Sequence, residues 1–290
     1  MKASETLPKK ETVPQPFLPK RYRYYLFHMA ALFILGVTVP FLGKQAFLHW
    51  AGPAASLSNE LYIPSAMFAA GRGLHNAPVE PGSAFFNFLQ FGQQYIDETE
   101  VQNLPIQPLD PHQAYHRYLL WTVGAWWQLR GISWDAFKEL SIFFLVLTAW
   151  LIYGCMVFFV PWWLAVPLTI CAVTAPAMLF TVQYLRDFAK APFFLGVLLS
   201  ALIFIRNGRK GNHALTFGVV SGLITGIGMG FRRDFIIVPP VLAGLLILVP
   251  MPGESARLRR WGYRVVGGTL MVSTLLFSGW PIWQALYTFG

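Results

Sequence analysis

Residues 140–160 read LSIFFLVLTAWLIYGCMVFFV, 21 consecutive positions without one Asp, Glu, Lys or Arg. A helix rising 1.5 Å per residue crosses the ~30 Å core of a bilayer in about 20 residues. This stretch therefore reads as a membrane span. Working outward, apolar runs recur at residues 24–42, 163–182, 192–205 (extendable back to Phe188), 215–231, 235–251 and 265–286. The pattern predicts about seven transmembrane helices in an all-α polytopic membrane protein. Its expected divisions are a basic tail (1–23), a first transmembrane helix (24–42), an external loop with interfacial helices (43–131) and a six-helix transmembrane region (132–290).

Composition agrees. Of 290 residues 55% are apolar and only 12% charged, and mean hydropathy is +0.49. Disorder requires the opposite balance, and a soluble enzyme has no single core able to hide this much apolar surface. Two cysteines, Cys155 and Cys171, exclude a disulfide scaffold, and both lie in apolar runs as small buried hydrophobes would.

Charge orients the spans. With the N-terminus in the cytoplasm, the inside segments carry 13 Lys and Arg, from Lys2, Lys9, Lys10, Lys20, Arg21 and Arg23 through Arg206, Arg209 and Lys210 to Arg257, Arg259, Arg260 and Arg264. The inside then bears a net +10 and the outside −1, as positive-inside topology requires. The excess of positive charge is thus a topology signal and no sign of nucleic-acid binding, because it is scattered over short loops beside lipid. We expect a multi-pass protein of a bacterial inner membrane.

The acids gather outside. The first external loop holds Glu60, Glu80, Asp97, Glu98, Glu100 and Asp110, with His75, His112 and His116. A connection of this length is uncommon unless functional. Within it, residues 64–74 carry a helical pattern. Residues 116–129 (HRYLLWTVGAWWQL) suit a helix lying at the membrane surface, with Trp121, Trp126 and Trp127 at headgroup level. Ser133 is placed to cap the next helix, with Asp135 in its first turn. Two later external clusters oppose the charge rule: Arg186-Asp187 with Lys190, and Arg232-Arg233-Asp234. Ionisable groups at a membrane boundary are costly and tend to be functional. An arginine fork oriented by a neighbouring Asp binds phosphate bidentately. The competing reading is a salt-bridged loop that anchors helix ends.

The order of these features resembles the membrane glycosyltransferases of the type-C fold, in particular the branch that includes protein O-mannosyltransferases and aminoarabinose transferases. The resemblance rests on HQAYHRYLLWTVGAWWQLRGISWDAFKELS (His112 to Ser141), on Ala175-Pro176 followed by Arg186-Asp187, and on GLITGIGMGFRRDFIIVPP (Gly222 to Pro240). It covers roughly residues 24–250, and its specificity lies in the order and sidedness of motifs that are each weak alone. It implies a polyprenyl-phosphate sugar donor, an acceptor of unknown identity, an external carboxylate as general base and cations on the departing phosphate. The family's loop opens with Asp-Glu and a Tyr a few residues on. Here Ser58-Asn59-Glu60-Leu61-Tyr62 stands there, followed by Ala66 and Gly73 at similar spacing. With Tyr62 setting the register, Ser58 occupies the Asp position. Either Glu60 substitutes, or Asp97 or Glu98 does, or the chain is an inactive member. Arg186, Arg232 and Arg233 are the implied phosphate ligands, with Tyr62, Asp187, Asp234, His112 and His116 in support.

No cofactor is certain. The loop carboxylates offer ligands to a divalent cation, but no spacing demands one. His112 and His116, four apart, would need a further ligand to hold zinc. Walker, GxGxxG and HExxH patterns are absent, and Asn76-Ala77-Pro78 is no glycosylation sequon. The rival readings are a transporter or lipid flippase, against which the nearly uncharged span interiors count, and a non-catalytic, degenerate member favoured by Ser58.

Overall fold

The computed structural model describes residues 20–48, 50, 52, 59–207, 211–250 and 257–289. The expected roles of Lys2, Lys9, Lys10, Ser58, Arg209 and Lys210 lie outside them, as do the side chains of Lys20, Arg21, Arg23 and Arg257.

The described residues are mostly helical, with no strand beyond the isolated bridges Asn76–Gln107 and Tyr95–Ser133. Four helices are long and apolar enough to cross a membrane. They are α1 (Lys20–Gln45, from Tyr24), α7 (Trp134–Met156), the stretch joining α10 (Leu185–Phe188) to α11 (Ala191–Asn207), and α12 (Gly211–Phe231). Two bent pairs raise the number to six if each is one span. One joins α8 (Trp162–Thr174) to α9 (Pro176–Val182) at 61°, and the other joins α14 (Arg257–Ser278) to α15 (Trp280–Phe289) at 67°. The chain thus has the build of a multi-pass membrane protein.

Three expected spans are altered, the first being 163–182, which bends between Thr174 and Pro176. Of the expected span 235–251, the described residues form a 3-10 turn (Arg233–Ile237) and an 11-residue helix, α13 (Val238–Leu248). At 1.5 Å per residue α13 is only about 16 Å long. The last expected span, 265–286, breaks at Gly279. Pro281 has no amide proton to continue the ladder and its ring would strike the carbonyl a turn back, so α15 leaves the axis of α14. Elsewhere the helix ends follow local chemistry: Ser133 Oγ accepts the Ala136 amide at 3.1 Å, and Pro161 and Pro176 stand where no donor is needed.

The packing also fixes direction. Gly211 lies against Tyr263, Gly218 against Gly267, Gly222 against Met271 and Thr274, and Gly226 against Leu275 and Ser278. The paired numbers rise together, so α12 and α14 run parallel. The chain between them must return along the length of α12. Phe235 beside Gly228 marks one end of that return, and the Arg264 guanidinium donating to the Val249 carbonyl at 3.0 Å marks the other. Five residues of 3-10 helix add ~10 Å to the ~16 Å of α13, close to what the return needs.

The described residues of the expected first external loop form a folded cap. It contributes α2 (Ile63–Ala69), α3 (Ala84–Leu89), α4 (Glu98–Gln102), α5 (Pro111–Tyr115) and α6 (Arg117–Arg130). Trp127, expected at headgroup level, is instead fully buried, donating to the Ser133 carbonyl at 2.8 Å among Tyr62, Phe88 and Trp134. Trp126 is half-buried, and Trp121 keeps an exposed position. Gly124 allows α6 to sit on α2: a methyl there would come within 2.9 Å of the Ser65 carbonyl. Of the two cysteines Cys155 is buried as expected, whereas Cys171 is exposed on the surface of α8.

Candidate functional site

Three separate segments deliver charge to one end of the bundle. The turn of α10 carries Arg186 and Asp187, with Lys190 just beyond. The end of α12 and the 3-10 turn carry Arg232, Arg233 and Asp234. The cap brings His112, Tyr115 and His116 on α5 and its C-terminal cap. Arg186, Arg232, Arg233 and Asp234 line one cavity of about 480 Å³ with Pro111, His112, Tyr115 and His116. A second compartment, about 550 Å³, shares Pro111, His112 and Arg186 with the first and is bounded also by Glu60, Leu61, Asp110 and Gln113. The first compartment is therefore lined mostly by cations, whereas the second sets Glu60 and Asp110 with Arg186.

Ion pairing leaves the cations unequal. Arg232 is bracketed by Asp187 and Asp234, and Asp234 also meets Lys190 at 3.1 Å. Arg186 reaches Asp187 at 3.6 Å. Arg233 has no carboxylate partner among the described residues, and its guanidinium stands 5.6 Å from the centre of the Tyr115 ring. It is exposed, so a ligand in the cavity can meet it directly. Burial raises the Asp234 carboxyl, but the Lys190 hydrogen bond, its own backbone and Arg232 outweigh that and hold it below the usual carboxylate range.

The two histidines are kept neutral. Burial is the main reason that His116 falls to about 4; its hydrogen bond to His112 acts upward, and nearby Arg186 and Arg232 act downward. Its Nδ1 lies 2.9 Å from the His112 carbonyl oxygen, which can only accept, so Nδ1 carries the proton of the neutral ring. His112 is lowered by burial and by the three arginines, against Asp110. Among the described residues no three His, Cys, Asp or Glu side chains gather as metal ligands.

The expected acids part company. Glu60 is exposed at the rim of the second compartment, its backbone carbonyl accepting from the buried Gln113 amide at 3.2 Å. Gln113 belongs to a capping box with Asp110, which accepts the Gln113 amide at 2.7 Å and so starts α5. Asp97 caps α4 through Thr99, whose backbone and side-chain bonds hold its carboxyl low. Neither Asp97 nor Glu98 lines the cavity or its neighbour. The structure therefore brings together Glu60, Arg186, Arg232, Arg233, Asp187, Asp234, His112 and His116, and sets Asp97 and Glu98 apart. Tyr62 does not line the cavity. It is buried against Trp127, Trp134 and Phe137; burial pushes its hydroxyl up, and the neighbouring Arg186 acts the other way.

Sequence reasoning passed over Tyr115 and Gln113, and placed Lys190 in a charged cluster without giving it a site role. The Asp110-Pro111-His112-Gln113 run carries a capping-box signal for Gln113. No sequence signal marks Tyr115, whose partner Arg233 is 118 residues away, and none pairs Lys190 with Asp234, 44 residues away.

Beside the charged cavity lies an apolar groove of about 480 Å³ lined by Leu74, Arg117, Tyr118, Trp121, Thr122, Ile227 and Phe231. Its walls continue from His116 into Arg117 and from Arg232 back to Phe231. No protein-family model, no curated protein and no solved structure matches the chain.

Proposed function

We propose that the chain is an integral membrane glycosyltransferase of type-C fold that moves a sugar from a polyprenyl-phosphate donor to an acceptor on the external face. The supporting observation is the convergence of Arg186, Arg232 and Arg233 on one cavity, with Glu60 across His112 and an apolar groove alongside. In this reading the acceptor loses its proton to Glu60 as its nucleophilic atom attacks the anomeric carbon. The bond from that carbon to the phosphate oxygen breaks with inversion, and the electron pair leaves with the phosphate. Arg233 and its neighbours stabilise the charge that builds there, in fixed positions that need no reorganisation. The groove receives the polyprenyl chain.

The membrane arrangement belongs to the same proposal. Parallel α12 and α14, with α13 returning between them, support seven traverses, the sixth being short. α15 then lies on the external face against the cap, where Arg117 donates to Gln284 at 3.1 Å. The N-terminus is cytoplasmic, and the membrane is a bacterial inner membrane.

Sugar transfer from radiolabelled polyprenyl-phosphate sugars in proteoliposomes tests the reading. Glu60→Gln and Arg233→Ala are each expected to lower transfer by ~10²-fold or more, the scale for a positioned base or a charge-stabilising donor. Full transfer by Glu60→Gln would remove that residue as base. No transfer by the unaltered protein across a broad donor panel would favour the non-catalytic reading that Ser58 first raised.

A further inference from the structure

We infer that the cationic cavity selects the phosphate dianion over the phosphate monoanion, so that it holds a phosphomonoester headgroup more tightly than a phosphodiester. The inference rests on the phosphate reading of the cavity, though not on sugar transfer. The lining itself carries three guanidinium groups and one carboxylate, Arg186, Arg232, Arg233 and Asp234, a net charge of +2. The flanking Asp187 and Lys190 cancel one another, each engaged with a member of the lining. His112 and His116 add nothing at neutral pH, because burial and the arginines keep both unprotonated. Tyr115 presents a neutral ring to Arg233. Glu60 and Asp110 face the second compartment, and both are exposed, so water and salt screen them.

A dianion neutralises the cavity, whereas a monoanion leaves one unit of positive charge unmatched. Arg233 decides the difference. Arg232 is ion-paired with Asp187 and Asp234, and Arg186 with Asp187, so Arg233, which has no carboxylate partner among the described residues, is the cation open to a ligand's second charge. If sugar transfer occurs here, the donor is a monoanionic diester and the departing lipid phosphate is a monoester. The cavity then favours the leaving group over the donor, and the released lipid phosphate inhibits.

The shared chemistry, a phosphomonoester dianion, has two sources: a lipid headgroup or free phosphate. Binding is measured by calorimetry on the purified full chain in detergent, with dodecyl phosphate, methyl dodecyl phosphate and inorganic phosphate as probes. At pH 8 dodecyl phosphate is expected to bind at least ~10-fold more tightly than its methyl ester, a contrast that one unmatched charge near a protein surface can produce. At pH 5 the ratio should approach one, because a monoester's second ionisation lies near pH ~6 and both probes are then monoanions. Arg233→Gln should lose most of the preference and Arg233→Lys should keep it, a pair that separates charge from folding. Dodecyl phosphate binding far more tightly than inorganic phosphate assigns the site to a lipid headgroup, and equal affinities assign it to free phosphate. Equal binding of the two dodecyl probes at pH 8, or an undiminished preference in Arg233→Gln, overturns the inference. Absence of sugar transfer with the preference intact would remove the enzyme reading and leave the anion site standing.

Discussion

The two halves of the molecule are held together by different means. In the half containing the cap, α1 and α7, the core is aromatic: Tyr62, Phe88, Trp127, Trp134 and Phe137 interlock, and the indoles of Trp127 and Trp134 donate to the Ser133 and Phe88 carbonyls at 2.8 and 2.9 Å. In the half containing α11 to α14, the closest contacts run through glycine, where backbone meets backbone. Ring packing works where water is nearby and burying a large apolar face drives assembly. Between helices in lipid that drive vanishes, and close approach through small residues replaces it. The candidate site lies where the halves meet. His112, His116 and Arg186 belong to the first and Arg232, Arg233 and Asp234 to the second, with Asp187–Arg232 and Lys190–Asp234 tying across.

The sharpest way to break this contrast is Trp134→Ala. Trp134 is fully buried and touches aromatic rings from α3, α6 and the turn before α2. Truncating a buried Trp costs about 3–5 kcal/mol, and here it also leaves the Phe88 carbonyl without its donor. Thermal unfolding of the purified protein in detergent, followed by tryptophan fluorescence, should show the cap melting before the helices of the other half. Simultaneous loss of both would mean that the two cores form a single cooperative unit.

Acid should act on the first half next most strongly. The unfolded His116 takes up its proton as pH falls through about 6.5, while the folded one resists until about 4. The unfolded state therefore binds more protons across that window, and stability declines as pH drops from about 6.5 to about 4. Above it His116 contributes no pH dependence. The full difference corresponds to about 3 kcal/mol as an order of magnitude. Chemical unfolding at pH 7 and pH 4.5 should show the loss in the unaltered protein and a smaller one in His116→Gln. An equal loss in both would place the acid sensitivity elsewhere.

How far the sequence foretold this molecule differs between the halves too. Spans at α1, α7 and α12 were legible because length and hydropathy depend only on the segment itself. The Ser133 cap was legible because capping is local. The fate of residues 235–251 was not: nothing in FIIVPPVLAGLLILVPM says that its neighbours run parallel and confine it to a short return. Trp127 was misread for a similar reason, since an aromatic beside other aromatics reads as a membrane belt until a partner such as Tyr62, 65 residues away, covers it. At the site, the arginines were visible as charge that breaks the expected positive-inside pattern. Their inequality was hidden, because it depends on which carboxylate from another segment reaches each one.

The glycine half offers the finest test. Gly218 and Gly244 are both helical, and composition alone cannot rank them. A methyl at Gly218 would overlap the Gly267 carbonyl oxygen on α14, which is backbone and cannot rotate aside. A methyl at Gly244 in α13 meets nothing within 4 Å. Gly218→Ala must therefore push α12 and α14 apart, and overpacking of that kind costs about 1–3 kcal/mol. Gly244→Ala removes only unfolded-state freedom and should be neutral or stabilising by about 0.5–1 kcal/mol. Steric trapping or thermal unfolding in detergent would read both, and the signs should be opposite. Equal effects would mean that α12 and α14 do not touch through their glycines. The parallel pairing, and with it the argument for a return through α13, would then fall.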